Sequence, residues 1–187
     1  MWMPVAMYYL PVMVSAAVFL FLCCGNLLLE YGHYRKWQIC YPVYEFCFGK
    51  MLRNAKPCGT FELSGSPYVL ASAFLTVILF PGQYAVCAFS VMLLGDTAAA
   101  LVGRKFGKTI FANGKSLEGF IAFIAASAIV LLICAIIFNY AAVVICGACI
   151  GIILASLAEL FEKNIHVDDN FSIPLITGAC LLLSSLL

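Results

Sequence analysis

Three groups of polar residues in this chain have the types and spacing to act together on an anionic ligand. The first is Asp96, set in the apolar run Leu93-Leu94-Gly95-Asp96-Thr97-Ala98-Ala99-Ala100. Placed eight residues before Arg104, it lies about 12 Å inside the end of a helix that rises 1.5 Å per residue. An ionised aspartate at the centre of a spanning helix costs about 2.5–3.5 kcal/mol on insertion scales, so such a residue faces a cavity, a partner or a metal. Gly95, Ala99 and Gly103 recur around it at helical spacing and make a narrow face that admits another backbone or a substrate. The competing reading is a structural acid paired with a cation on another helix.

The second group is Gly103-Arg104-Lys105-Phe106-Gly107-Lys108, followed by Asn113-Gly114-Lys115-Ser116-Leu117-Glu118-Gly119. Glycines let backbone amides approach an anion, and Arg and Lys supply the countercharge a phosphate needs. Ser116 suits the N-cap of the next helix, whose positive dipole end would face the same anion. The motif is not a Walker loop. Standing alone, it reads equally well as an ordinary basic membrane-flanking loop.

The third group is Asp168-Asp169-Asn170, ahead of Phe171-Ser172-Ile173-Pro174. Acids and Asn at a helix start serve as caps. They also offer the oxygen ligands and amide donors that suit a hard cation and a nucleotide.

The elements that must position these residues are apolar helices. With 65% hydrophobic and 10% charged residues, the chain cannot present a soluble surface, and it is expected to be an all-α integral membrane protein. Spans of about 20 apolar residues are expected at roughly 5–29, 67–80, 83–103, 118–138, 140–162 and 171–187, six helices forming a single domain. All ten Lys and Arg fall between Arg35 and Lys56, between Arg104 and Lys115, and at Lys163. The segments 30–66, 104–117 and 163–170 are therefore expected on the cytoplasmic side, giving an N-out, C-out chain. Between Glu30 and Ser66, aromatics interleave with Lys and Arg, which suits an amphipathic segment lying in the headgroup layer. Arg53, near the turn into the second span, is either an interfacial anchor or a contact to a lipid headgroup.

Other functions have little footing. The N-terminal stretch lacks the basic n-region of a secretion signal and is too long for its apolar segment. Most of the ten Cys lie in apolar runs as small hydrophobes, and Cys146 and Cys149 have redox spacing without a nearby His or acid. A net charge of +1 without Lys/Arg runs argues against nucleic acid. Neither His33 nor His166 has a partner at metal-ligand spacing.

Taken in series, Gly95-Asp96, Gly103 to Lys108, Lys115 to Gly119, and Asp168-Asp169-Asn170 with Ile173-Pro174 resemble the CTP-dependent lipid kinase family that includes dolichol kinase, phytol kinase and the yeast-type diacylglycerol kinase. The resemblance runs from about Arg53 to Leu175. It implies transfer of the γ-phosphate of CTP, or another nucleoside triphosphate, to the hydroxyl of a membrane-embedded polyprenol, phytol-like alcohol or diacylglycerol, with Mg²⁺. Under it, Gly103, Arg104, Lys105, Gly107, Lys108, Lys115, Ser116 and Asn170 would hold the nucleotide. Asp96, Asp168 and Asp169 would hold the metal, Asp96 would act on the alcohol, Glu118 is a second candidate for metal ligand or base, and Arg53 would meet the lipid headgroup. The chain departs from the family in lacking its Arg-Lys and His motif in an early helix. It also lacks the Glu that closely follows the residue matching Arg53; Glu62 is the nearest downstream acid. The alternatives are a cytidylyltransferase that makes CDP-diacylglycerol and a small transporter that couples through Asp96. A homodimer is compatible with the short chain.

Overall fold

The computed structural model describes residues 2–35, 37, 64–111, 114–161 and 168–187. Among them the chain forms seven helices: α1 (Trp2–Tyr9), α2 (Val12–Tyr34), α3 (Gly65–Leu79), α4 (Gly82–Phe106), α5 (Leu117–Phe138), α6 (Ala142–Leu160) and α7 (Asp169–Ser185). Four of these, α2, α4, α5 and α6, are long and apolar enough to cross a membrane, and the protein is accordingly a membrane protein. The other two sizeable helices are shorter, α3 with 15 residues and α7 with 17.

The first span expected from the sequence, 5–29, is divided. Proline has no N–H to donate and biases the residue before it towards extended backbone, so the helix stops at Leu10-Pro11, where Pro11 has ψ 143°. The Ser15 hydroxyl bridges the break by donating to the carbonyls of Ala6 at 3.3 Å and Leu10 at 3.5 Å. Helix α2 then continues past residue 29 to Tyr34. The other helices begin and end within three residues of their expected bounds. Most of the expected amphipathic segment lies outside the described residues, and so do Arg53, Lys56, Asn113, Lys163 and His166.

Helix α4 is the hub, packing against α1, α3, α5 and α7, while α7 also lies against α3 and α6. The fully buried Phe19, Phe89, Met92, Phe123, Ile173 and Leu181 fill the space between them. Small residues set the closest approach. A Cβ added at Gly119 of α5 would stand 2.9 Å from the Ala99 carbonyl oxygen of α4, and one at Gly95 would stand 2.8 Å from the Phe123 ring and from Ser127 Oγ. Gly147 and Gly151 of α6 similarly admit Ser184, Cys180 and Thr177 of α7. In membrane helices, where lipid removes the hydrophobic drive for association, such close backbone contact supplies the packing energy.

The two ends of the bundle differ. At one end the uncharged links meet, with Tyr140 Oη donating to the Gln83 carbonyl at 2.8 Å and the Tyr84 and Tyr140 rings 5.6 Å apart. The described charged residues collect at the opposite end, on the C-terminal ends of α2, α4 and α6 and the N-terminal ends of α5 and α7, and within α4 at Asp96.

Candidate active site

At the charged end, α4, α5, α6 and α7 enclose a cleft of about 330 Å³. Its polar wall is made by Asp96 and Arg104 of α4, Lys115 and Ser116 at the start of α5, Glu159 in the last turn of α6 and Asp169 in the first turn of α7. Ile110, Phe120 and Leu160 supply an apolar side. The volume falls at the low end of the range for small-molecule sites, about 300–1,000 Å³.

The described stretches Gly107 to Phe111 and Gly114 to Ser116 pair with each other. Phe111 N donates to the Lys115 carbonyl at 2.8 Å, Gly114 N to the Phe111 carbonyl at 2.9 Å, and Leu117 N to the Thr109 carbonyl at 2.9 Å. Gly114 turns the chain with φ 87°, a conformation that favours glycine because it has no Cβ. Ser116 caps α5 as the sequence predicted, its Oγ accepting from Gly119 N at 3.1 Å. The cap leaves the positive end of α5 beside the cleft.

Lys115 organises the interior. Its ammonium lies 3.4 Å from Glu159 Oε1 and 3.4 Å from Asp169 Oδ2, joining three elements that are distant in sequence. Glu159 is 6% exposed, and its Oε2 accepts no hydrogen bond from a described residue. A buried carboxylate needs a paired charge, and Lys115 supplies it.

The structure brings together Asp96, Gly103, Arg104, Gly107, Lys115, Ser116 and Asp169 from the residues marked in the sequence. It sets five others apart. Glu118, expected to act as base or metal ligand, instead accepts from Thr109 N with both oxygens at 3.3 and 3.4 Å and braces the loop. Lys105 turns outward, its ammonium 5.2 Å from the centre of the Phe106 ring, and Lys108 is exposed beside Glu118. Asp168 is the N-cap of α7, its Oδ1 accepting from Asn170 N at 3.0 Å and Asn170 Nδ2 at 2.9 Å. The Asn170 amide also donates to Asp169 Oδ1 at 3.1 Å, so it orders two acids and does not line the cleft. Arg53 lies outside the described residues.

Glu159 is the site residue that the sequence reading missed. Its position does not single it out, because Glu162 and Lys163 follow closely, although Leu157-Ala158-Glu159-Leu160 places it in an apolar run, as Asp96 is placed in α4. Glu30 of α2 is a second buried acid. It accepts from Ser64 N at 3.2 Å and from the Ser64 hydroxyl, fastening α2 to the start of α3.

Two cations face three carboxylates across the cleft. A bare polyphosphate would therefore meet a net negative wall, and a divalent cation carried on it would offset part of that repulsion. The oxygen donors suit Mg²⁺, but among the described residues no three acidic, His or Cys side chains stand close enough to form a cage. That arrangement fits a Mg²⁺ that arrives on phosphate oxygens and retains water, for which one or two carboxylates suffice.

The chain is thus a membrane protein with a polar cleft at one end of an apolar helical bundle. The chain is 36% identical over 173 residues to the uncharacterized protein RP860 of Rickettsia prowazekii (strain Madrid E), covering 90% of this chain and 82% of that relative. It belongs to the same family as that protein. No protein-family model matches the chain, and no solved structure matches it.

Proposed function

We propose that this protein is a lipid kinase that transfers the γ-phosphate of CTP, or of another nucleoside triphosphate, to the hydroxyl of a membrane alcohol of the polyprenol, phytol or diacylglycerol type. The observation that carries the reading is the convergence of Asp96, Arg104, Lys115, Glu159 and Asp169 on one cleft beside the Gly103 to Gly107 backbone. Phosphoryl transfer asks of a protein mainly alignment and neutralisation of charge, and this cleft offers both. The resemblance of the same segments to CTP-dependent lipid kinases supports the choice of reaction.

In this reading six helices, α2 to α7, cross or enter the bilayer. The end bearing Arg104 and Lys115 faces the cytoplasm, where nucleotide is available. Arg104 and Lys115 hold the phosphates from two sides. The apolar side at Ile110, Phe120 and Leu160 takes the hydrocarbon next to the hydroxyl. The alcohol oxygen forms a bond to the γ-phosphorus as the bond from that phosphorus to the β–γ bridging oxygen breaks. The bridging oxygen leaves with the electron pair on CDP, and Asp96 accepts the hydroxyl proton. Asp169 would hold Mg²⁺, whose charge neutralises the phosphates when it is bound.

The test is transfer of γ-labelled phosphate from CTP and from ATP, with Mg²⁺, to a panel of polyprenols, shorter isoprenoid alcohols and diacylglycerol by the purified protein. Labelled lipid that disappears in Asp96→Asn is the expected result. Absence of labelled lipid with every donor and acceptor, or release of diphosphate with CMP left on the lipid, would overturn it.

A further inference from the structure

We infer that Cys87 of α4 and Cys134 of α5 are a dithiol that closes to a disulfide within the membrane and staples the two helices at the uncharged end of the bundle. The inference does not depend on the kinase reading.

The placement follows from how α4 and α5 pack. The two helices run antiparallel, with Gly95 against Phe123 and Ser127, and Ala99 against Gly119. Cys87 stands eight residues back from Gly95, and Cys134 stands seven residues on from Ser127. Each step is about two helical turns, so the register of the contact brings the two cysteines opposite one another. Burial agrees, with Cys87 0% and Cys134 6% exposed. Their thiols interact directly, and Tyr140 lies beside both. Helix axes about 8–10 Å apart, with Cα atoms about 2.3 Å from each axis, bring facing residues into the range of about 4.4–6.8 Å between Cα atoms that a disulfide spans.

An apolar groove of about 440 Å³ opens between α1, α4 and α5, and Cys134 stands in its wall with Ser90, Val130 and Phe138. The groove gives a small apolar oxidant a path to the pair. Molecular oxygen is such an oxidant. The two sulfurs form one S–S bond, each thiol gives up its proton and one electron, and oxygen takes both protons and both electrons and leaves as hydrogen peroxide. Reduction from water requires attack by a thiolate, and an apolar wall keeps a charged group out. The closed bond therefore resists aqueous reductants while the bundle is folded. Helix α4 carries Asp96 and Arg104, and α5 starts beside Lys115 and Ser116, so the staple fixes one wall of the cleft from the opposite end of the bundle.

The experiment uses the full-length protein in phospholipid nanodiscs, incubated in air with copper–phenanthroline, a lipid-soluble catalyst of thiol oxidation by oxygen. After denaturation the free thiols are blocked and the linked fragments are identified by mass spectrometry. The fragments carrying Cys87 and Cys134 are expected to be linked in wild type and unlinked in Cys87→Ala and Cys134→Ala. Oxidised wild type should melt at least about 5 °C above the reduced form, as closure of a long loop does. Dithiothreitol should open the link at least about tenfold faster in denatured than in folded protein. No link between Cys87 and Cys134 in wild type, the same linked fragment in either alanine variant, an oxidised form that melts no higher, or equal reduction rates would each overturn the inference. The linked fragment and the melting shift of wild type carry the test if an alanine variant does not fold. Phosphate transfer is read separately, so either proposal can fail while the other stands.

Discussion

The ammonium of Lys115 stands 3.4 Å from Oε1 of Glu159, forty-four residues further along the chain, and fastens the start of α5 to the end of α6. Removing one partner from a fully buried ion pair costs about 3–5 kcal/mol. Because Lys115 is partly exposed, Lys115→Met is expected to cost less, about 1–2 kcal/mol. Thermal unfolding in detergent should show that loss, and Lys115→Met combined with Glu159→Gln should recover part of it. A double variant no more stable than Lys115→Met would show that the pair does not hold the bundle.

Asp96→Asn tests the chemistry separately from the fold. The substitution keeps shape and removes the charge, so the melting temperature should change little while phosphate transfer falls by about 10²-fold or more, the usual contribution of a positioned acid or base. Turnover near wild type would remove Asp96 from the reaction.

Arg104 lines the cleft and Lys105 does not, and they should behave differently. Arg104→Ala opens one wall of the cleft and is expected to raise the apparent nucleotide constant by about tenfold, as loss of a charge-assisted contact does. Lys105→Ala, on the outward side over Phe106, should leave it within about twofold. Steady-state kinetics with varied nucleotide distinguish the two, and equal effects would mean that the loop engages phosphate differently.

Glycine substitutions in α5 and α2 report on helix contact. Gly119→Ala drives a Cβ to 2.9 Å from a backbone oxygen of α4, which cannot rotate away as a side chain can. A loss of about 1–3 kcal/mol is expected from overpacking. Gly25→Ala meets nothing within 4 Å and should lose no stability. Melting curves of the two variants are the check.

Much of this was legible because membrane helices announce themselves by length and apolarity. Asp96 stood out since a charge inside such a run is costly, and Ser116 since its hydroxyl precedes an apolar run at the right register. What stayed hidden depends on three-dimensional direction. Sequence spacing does not say that Lys105 turns over Phe106 while Arg104 lines the cleft, nor that the Glu118 carboxylate is taken by the Thr109 amide. Asp168 and Asn170 have the chemistry of a cation and nucleotide site, but a helix start uses the same atoms, and here the cap accounts for them. The break at Leu10-Pro11 had its signal in the proline, outweighed by the unbroken hydrophobicity around it. Glu159 was obscured by the charges that follow it.

The contact of Gly147 and Gly151 with Ser184, Cys180 and Thr177 sets how closely α6 and α7 approach. Gly147 lies twelve residues before Glu159 on the same helix, a distance of about 18 Å at 1.5 Å per residue. Helix α7 returns alongside, carrying Asp169 at its near end, so the separation of the two carboxylates depends on how closely α6 and α7 approach along their length. Adding a single methyl group at Gly147 would push the two helices apart, so the spacing that the Lys115 ammonium meets depends on residues that never touch it.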